Sequence, residues 1–178
     1  MSLANIEFDV LRRTIAVRGT VRLILFPVTV IAWSWLAAGL AARARAPIEA
    51  VFPLAVLVAG FEAIHALHVG VERVGRYLQV YYESAADGPR WESTVAGMGP
   101  GLPGGGVDPL FSLLFTLVTC ANVVPSLLSP PAPAGLAVLA VLHLAFLTRI
   151  ARARLAAARQ RAVELESFRA MRSQDVTR

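Results

Sequence analysis

Residues 50–83, AVFPLAVLVAGFEAIHALHVGVERVGRYLQVYYE, decide the fold class of this chain. The first part, 50–71, contains only three side chains that can carry charge, and about 20 apolar residues let a helix cross roughly 30 Å of hydrocarbon. The second part, 72–83, has polar residues at regular intervals and no proline. The stretch therefore predicts a helix that crosses a membrane and continues beyond it.

A helix over this stretch has three distinct faces, because successive residues are about 100° apart. The polar face carries Glu62, His65, His68, Glu72, Arg76, Gln79 and Glu83. A face of small residues, predicted to pack closely against another helix, carries Ala59, Ala63, Ala66 and Gly70. The third face is apolar and carries Leu57, Ile64, Leu67 and Val71. Since this helix is predicted to lie in a membrane, its polar face needs an explanation.

The rest of the chain extends the membrane pattern. Its 178 residues are 56% apolar, with a mean hydropathy of +0.61. Apolar segments at about 23–42, 110–128 and 134–150 join 50–71 as predicted spans. Residues 1–20 predict an amphipathic interfacial segment, 84–108 a flexible loop rich in glycine and proline, and 151–178 a cytoplasmic helix and tail. We therefore expect one all-α domain over 1–178, an integral membrane four-helix bundle with an amphipathic N-terminal helix and cytoplasmic extensions of membrane helices two and four.

A signal peptide is the competing interpretation of 23–42, because Ala44-Arg45-Ala46 resembles the small-x-small cleavage site of such peptides. The apolar run is longer than the 7 to 15 residues usual in such peptides. We therefore favour a retained span.

The positions of the arginines predict the topology. All 17 basic residues are arginine, which with abundant alanine suggests a GC-rich bacterial genome. Fifteen lie in the N-terminal tail, in 72–108 or in the C-terminal tail, whereas Arg43 and Arg45 lie on the opposite side. The positive-inside rule then places both termini in the cytoplasm of a bacterial inner membrane. The same rule explains the net charge of +5 without a nucleic-acid partner, and anionic lipid is expected at the cytoplasmic face.

The polar groups within the spans are the candidate functional residues. Glu62 is 12 residues from the start of its span, about 18 Å by helical rise and so near the midplane. We predict that Asn122 and His143 reach a similar depth and converge with it. Because an ionisable group there costs at least about 2.5 kcal/mol, it is expected to be paired.

Three functions fit these groups. The first is an oligomeric scaffold or partner-binding subunit, in which the polar groups fix helix register. The second is a proton- or cation-linked transport protein using Glu62, His65, His68, Glu72 and His143, because imidazoles titrate near neutrality. The third is a metal or haem protein, since the Glu62-x-x-His65 spacing occurs in bundle-type metal sites. Its candidate ligands are Glu62, His65, His68 and His143.

Enzymatic chemistry has little support in the sequence, and we predict no catalytic residue. The glycine-rich segment 84–108 has neither the flanking strand nor the lysine of a phosphate-binding loop. The single cysteine, Cys120, lies in an apolar span with no histidine beside it. We expect the bilayer and other copies or membrane subunits as partners and no required cofactor, with a metal ion or haem as the alternative.

Overall fold

The computed structural model describes residues 3–43, 47–83, 90–97, 109–128 and 133–176. These residues are 96% helical and include no strand, so the prediction of an all-α fold is confirmed for them. The helices are α1 (Leu3–Ala41), α2 (Val51–Tyr81), α3 (Trp91–Gly97), α4 (Pro109–Leu127) and α5 (Pro133–Val176), and a 3-10 turn, Pro47–Ala50, precedes α2.

Three helical segments are long and apolar enough to cross a membrane: Leu3–Ala41, Ile48–Tyr81 and Pro133–Ala157. They contain the predicted spans 50–71 and 134–150 and all but the last residue of 23–42. The fourth predicted span, 110–128, falls on α4, whose apolar part, Phe111–Leu127, is shorter. Length and composition thus support three membrane-crossing helices.

The N-terminal segment differs from its predicted form. Residues 1–20 were expected to make a separate interfacial helix, but α1 runs without a break from Leu3 to Ala41. No proline occurs before Pro27, and one glycine, Gly19, does not end the helix. Of the predicted loop 84–108, residues 91–97 form α3, and its remaining residues outside 90–97 fall outside the described ranges. The predicted turn near 129–132 also lies outside them.

One compact unit consists of Leu23–His65 and Pro109–Arg154. Its core contains an aromatic cluster in which Phe61 of α2 meets Phe115 of α4 and Phe146 of α5 edge to face, with centroids 5.4 and 5.6 Å apart. Such pairs contribute about 0.5–1.5 kcal/mol each beyond their burial. Leu57 and Ile64, from the predicted apolar face of α2, are buried in the same core.

Gly60 sets how closely α1 and α2 approach each other in this unit. A Cβ at Gly60 would overlap the side chain of Thr29, which is buried. Thr29 is short and β-branched, so it has no flexible end that can move aside. Close approach by small residues is the usual way for helices to pack in lipid, where burial of apolar surface gives no net driving force.

The other compact unit consists of Met1–Arg22, Ala66–Asp108 and Leu155–Arg178, as far as these ranges are described. Tyr77 stacks on Tyr81 at 4.5 Å and meets Phe168 of α5 edge to face at 5.7 Å. Phe8 of α1 packs against Tyr82 at 5.3 Å. Aromatic side chains therefore join three chain segments outside the apolar core.

Candidate functional site

Glu62 forms an ion pair with Arg149 of α5. Arg149 Nη2 donates to Glu62 Oε2 at 2.8 Å, and the side chains of Arg149 and Glu62 remain 41% and 44% exposed. The Arg149 guanidinium also lies 5.7 Å from the centroid of the Phe61 ring, on which the imidazole of His65 stacks. The carboxylate predicted to need a partner therefore has one, and the partner is an arginine.

Asn122 is the centre of a buried hydrogen-bond network that joins four elements of the same unit. Its Oδ1 accepts from Trp33 Nε1 of α1 at 2.9 Å. Its Nδ2 donates to the carbonyl of Ala50, at 2.9 Å, and contacts His143 Nε2 of α5 at 3.1 Å. Since His143 Nδ1 lies 2.8 Å from the carbonyl of Leu139, that nitrogen must donate and Nε2 must accept. His143 is therefore a neutral imidazole with both ring nitrogens bonded.

The predicted convergence of Glu62, Asn122 and His143 is formed only in part. Asn122 and His143 meet, but the bond to Ala50 places Asn122 beside the residue just before α2 begins. Glu62 lies 12 residues further along, about 18 Å by helical rise. The sequence placed Asn122 at the depth of Glu62, and the structure corrects this. For His143 to ligate a metal or haem iron, its bond with Asn122 would have to break.

His68 lies in the other compact unit and is bonded to α1. Arg22 Nη1 lies 2.7 Å from His68 Nδ1. One turn earlier on α1, Arg18 Nη1 lies where a Cβ on Gly70 would approach it to 2.5 Å. The small side of α2 at Gly70 therefore receives an arginine instead of the backbone of another helix.

Arg76 is buried between two carboxylates. Its Nη1 donates to Glu164 Oε2 of α5 at 2.5 Å, and its Nη2 donates to Glu72 at 3.2 Å. Glu164 also accepts from Arg73 at 3.1 Å and from Gln160 at 2.9 Å. Burial acts to raise the pKa of Glu164, but the hydrogen bonds from Gln160, Arg76 and Arg73 outweigh it and lower that pKa. A paired, ionised carboxylate thus joins α2 to the polar part of α5.

Glu83, the last residue of the polar face, caps α3. Its carboxylate accepts from the backbone N–H groups of Glu92 and Ser93, both at 2.6 Å. The carboxylate of Glu92 lies against Gly75 of α2 and 3.5 Å from Arg12 Nη1 of α1. Burial, followed by the charge of Glu83, raises the pKa of Glu92. The α3 helix is therefore attached to α2 by two carboxylates. That of Glu83 caps α3, and that of Glu92 is costly to ionise.

Tyr82 extends this polar unit to Glu7 of α1. Burial is the main cause that raises the pKa of Tyr82 to about 12, and its hydrogen bond to Glu7 adds to the shift. Tyr77 donates to the same carboxylate at 2.9 Å. The phenols act here as neutral donors that hold α1 against α2.

The predicted small-residue face of α2 lies mostly on the surface of the chain. Ala59, Ala63 and Ala66 are exposed, and within the chain α2 packs through Leu57 and Phe61. The described residues of the chain therefore leave these three alanines largely uncovered, and the role of this face in contacts between chains stays a prediction.

The sequence did not identify the partners of these polar groups. In the sequence, Arg149, Arg22 and Glu164 are charges beside a span or in a tail, and nothing distinguishes them from Arg152, Arg159 or Glu166 as partners of α2. The only available signal was that Arg149 and Arg22 directly flank apolar runs. Which of several flanking charges reaches a given carboxylate depends on helix rotation, which a single sequence does not give.

Together these features define an all-helical protein with three helices long and apolar enough to cross a membrane and with polar groups paired across helices. Comparison with protein-family models, with curated proteins and with solved structures finds no match to this chain. Among the described residues, no three His, Cys, Asp or Glu side chains are grouped so as to hold a metal ion.

Proposed function

We propose that this chain is a multipass protein of a bacterial inner membrane that acts as a subunit of a homo-oligomeric scaffold. Both termini then lie in the cytoplasm, and α4 is the fourth span. The three long apolar helices support membrane insertion, and the unequal distribution of arginines supports this orientation.

Arginine pairing favours a structural role for the polar face over a proton relay. Glu62 bonds to Arg149, His68 to Arg22 and Glu72 to Arg76. An arginine stays protonated in proteins, so it can hold a partner in place but cannot pass a proton on. Each pair also connects two helices or two turns of one helix, which is what polar groups do when they fix helix register.

The observation that carries the oligomer is the half-exposed ion pair of Glu62 and Arg149. Charged groups at membrane depth cost at least about 2.5–3.5 kcal/mol each when they face hydrocarbon, so they normally face protein or a water-filled cavity. A second copy of the chain supplies a matching carboxylate and guanidinium when it packs around a two-fold axis. The exposed Ala63 on the adjoining side of α2 lets such a copy approach closely.

The test is the oligomeric mass of the purified chain in mild detergent, measured by size-exclusion chromatography with light scattering. Wild type is expected to be an oligomer and Ala63→Leu a monomer, because the added side chain holds the two copies apart. Ala140→Leu makes the same change at an exposed position of α5, about 180° around the helix from Arg149, and serves as the matched control. A monomeric wild type, or equal masses for wild type and Ala63→Leu, would refute the proposal.

A further inference from the structure

The guanidinium of Arg149 lies over the aromatic ring of Phe61. Its Cζ atom is 5.7 Å from the centroid of that ring, within the roughly 6 Å over which a cation is attracted to the face of an aromatic ring. The ring is only 5% exposed, meets Phe115 and Phe146 edge to face, and stacks with the imidazole of His65 at an angle of 6° between the two planes. These contacts fix the ring, so the long arginine side chain rests on a rigid surface.

Arg149 has N–H donors available for a second acceptor. A guanidinium carries five N–H groups in a planar fork. Within the described part of the chain, the bond from Nη2 to Glu62 Oε2 is the only hydrogen bond that Arg149 makes. Its other N–H groups therefore have no acceptor there, and the side chain that carries them is 41% exposed. An acceptor from outside the chain can reach this guanidinium while its bond to Glu62 is kept.

We propose that Phe61 is the positioning residue of the contact between copies, because it holds Arg149 where the guanidinium bridges Glu62 of its own chain and Glu62 of a second copy. This inference rests on the oligomer proposed above. Fixing a long, mobile side chain on association opposes binding, and the ring of Phe61 removes part of that cost before the copies meet. Cation–π attraction is also stronger for a desolvated cation. The contact between ring and guanidinium therefore strengthens when a second copy excludes water from it.

Fluorination of the ring tests this role with little change in its shape. Fluorine withdraws electron density from the face of the ring, so mono-, di- and trifluorophenylalanine in place of Phe61 should weaken the oligomer in steps. The dissociation constant, measured by sedimentation equilibrium in density-matched detergent, should rise about fivefold for each contact and about 30-fold for the two contacts of a two-fold pair. The same replacements at Phe115 are the matched control, since among the described residues Phe115 pairs with aromatic rings and not with a cation.

Arg149→Lys tests the bridge between the two carboxylates. Lysine keeps the positive charge but replaces the planar fork by a single point of charge. The dissociation constant should rise at least about tenfold, the effect of losing one hydrogen bond to a charged group. Equal effects of fluorine at Phe61 and Phe115 would overturn the positioning role, and an unchanged constant for Arg149→Lys would overturn the bridge. Either result in a wild-type oligomer removes this inference alone, whereas a monomeric wild type also refutes the proposed oligomer.

Discussion

Arg76 and Arg73 allow a sharp test of how burial determines the strength of an ion pair. Both donate to the carboxylate of Glu164, but the side chain of Arg76 is 8% exposed and that of Arg73 is 57% exposed. The two arginines lie three residues apart on one helix and have the same chemistry. Only their burial and the number of their carboxylate partners differ.

Arg76→Met keeps much of the side-chain volume and removes the charge. Breaking a buried ion pair costs about 3–5 kcal/mol, and we expect the lower end because Glu164 keeps Arg73 and Gln160 as donors. Arg73→Met removes a mostly exposed partner, for which about 0.2–1 kcal/mol is typical. The free energy of unfolding should therefore fall at least three times as much for Arg76→Met as for Arg73→Met.

Denaturant titration in mild detergent, followed by far-ultraviolet circular dichroism, measures both losses. The double variant Arg76→Met with Glu164→Met should be more stable than the sum of the two single losses predicts, because it leaves no buried carboxylate without its partner. Equal costs for the two arginine variants, or strict additivity in the double variant, would refute the reasoning. The lowered pKa of Glu164 adds a pH test. Its stabilisation is complete above the ordinary carboxyl pKa and should be lost as the pH falls through the lowered value.

Three further changes test other contacts. Gly60→Ala should lower stability by about 1–3 kcal/mol through its overlap with Thr29, and Thr29→Ala should restore part of that loss; no loss in the first variant contradicts the close approach. Asn122→Leu should cost about 2 kcal/mol in detergent denaturation, since three hydrogen bonds are lost at roughly 0.6 kcal/mol each and their partners stay buried; a neutral effect contradicts the network. Because the raised pKa of Glu92 means that the folded protein holds a proton more tightly than the unfolded chain, attachment of α3 should weaken as the pH rises through that value. The protection factors for amide hydrogen exchange over 91–97, which are corrected for the intrinsic effect of pH, should fall accordingly in wild type, and a similar fall in Glu92→Gln contradicts this account.

The helical periodicity of α2 correctly predicts which apolar residues are buried. Leu57 and Ile64 were assigned to the apolar face of α2 and are buried. The close contact with α1 lies one residue away from the predicted small-residue face, because Gly60 contacts Thr29 while Ala59 and Ala63 are exposed. Spacing identifies a row of small side chains, but the rotation of the helix in the bundle decides which of its members meets a neighbour.

Depth was harder to predict than periodicity. Counting from the ends of apolar blocks placed Asn122 level with Glu62, yet the amide bonds to the carbonyl of Ala50. The error arises because apolar blocks do not begin at equal heights: Ala50 ends a 3-10 turn that contacts α4. The offset between two helices depends on such connections, which hydropathy does not describe. The same uncertainty explains why the sequence predicts that Asn122 and His143 converge with Glu62, whereas Glu62 pairs with Arg149.

The absence of lysine has a structural consequence beyond base composition. Arg76 reaches Glu164 and Glu72 with different nitrogens of one planar group, and Arg73 uses two nitrogens on a single oxygen of Glu164. A lysine ammonium is a single point of charge on a flexible chain and does not reproduce either arrangement. Arginine also keeps its proton, so the carboxylates that it binds have a permanent partner. Pairing of this kind is well suited to holding helices in register and poorly suited to passing protons between them. The residue that each acid pairs with therefore distinguishes a scaffold protein from a proton relay.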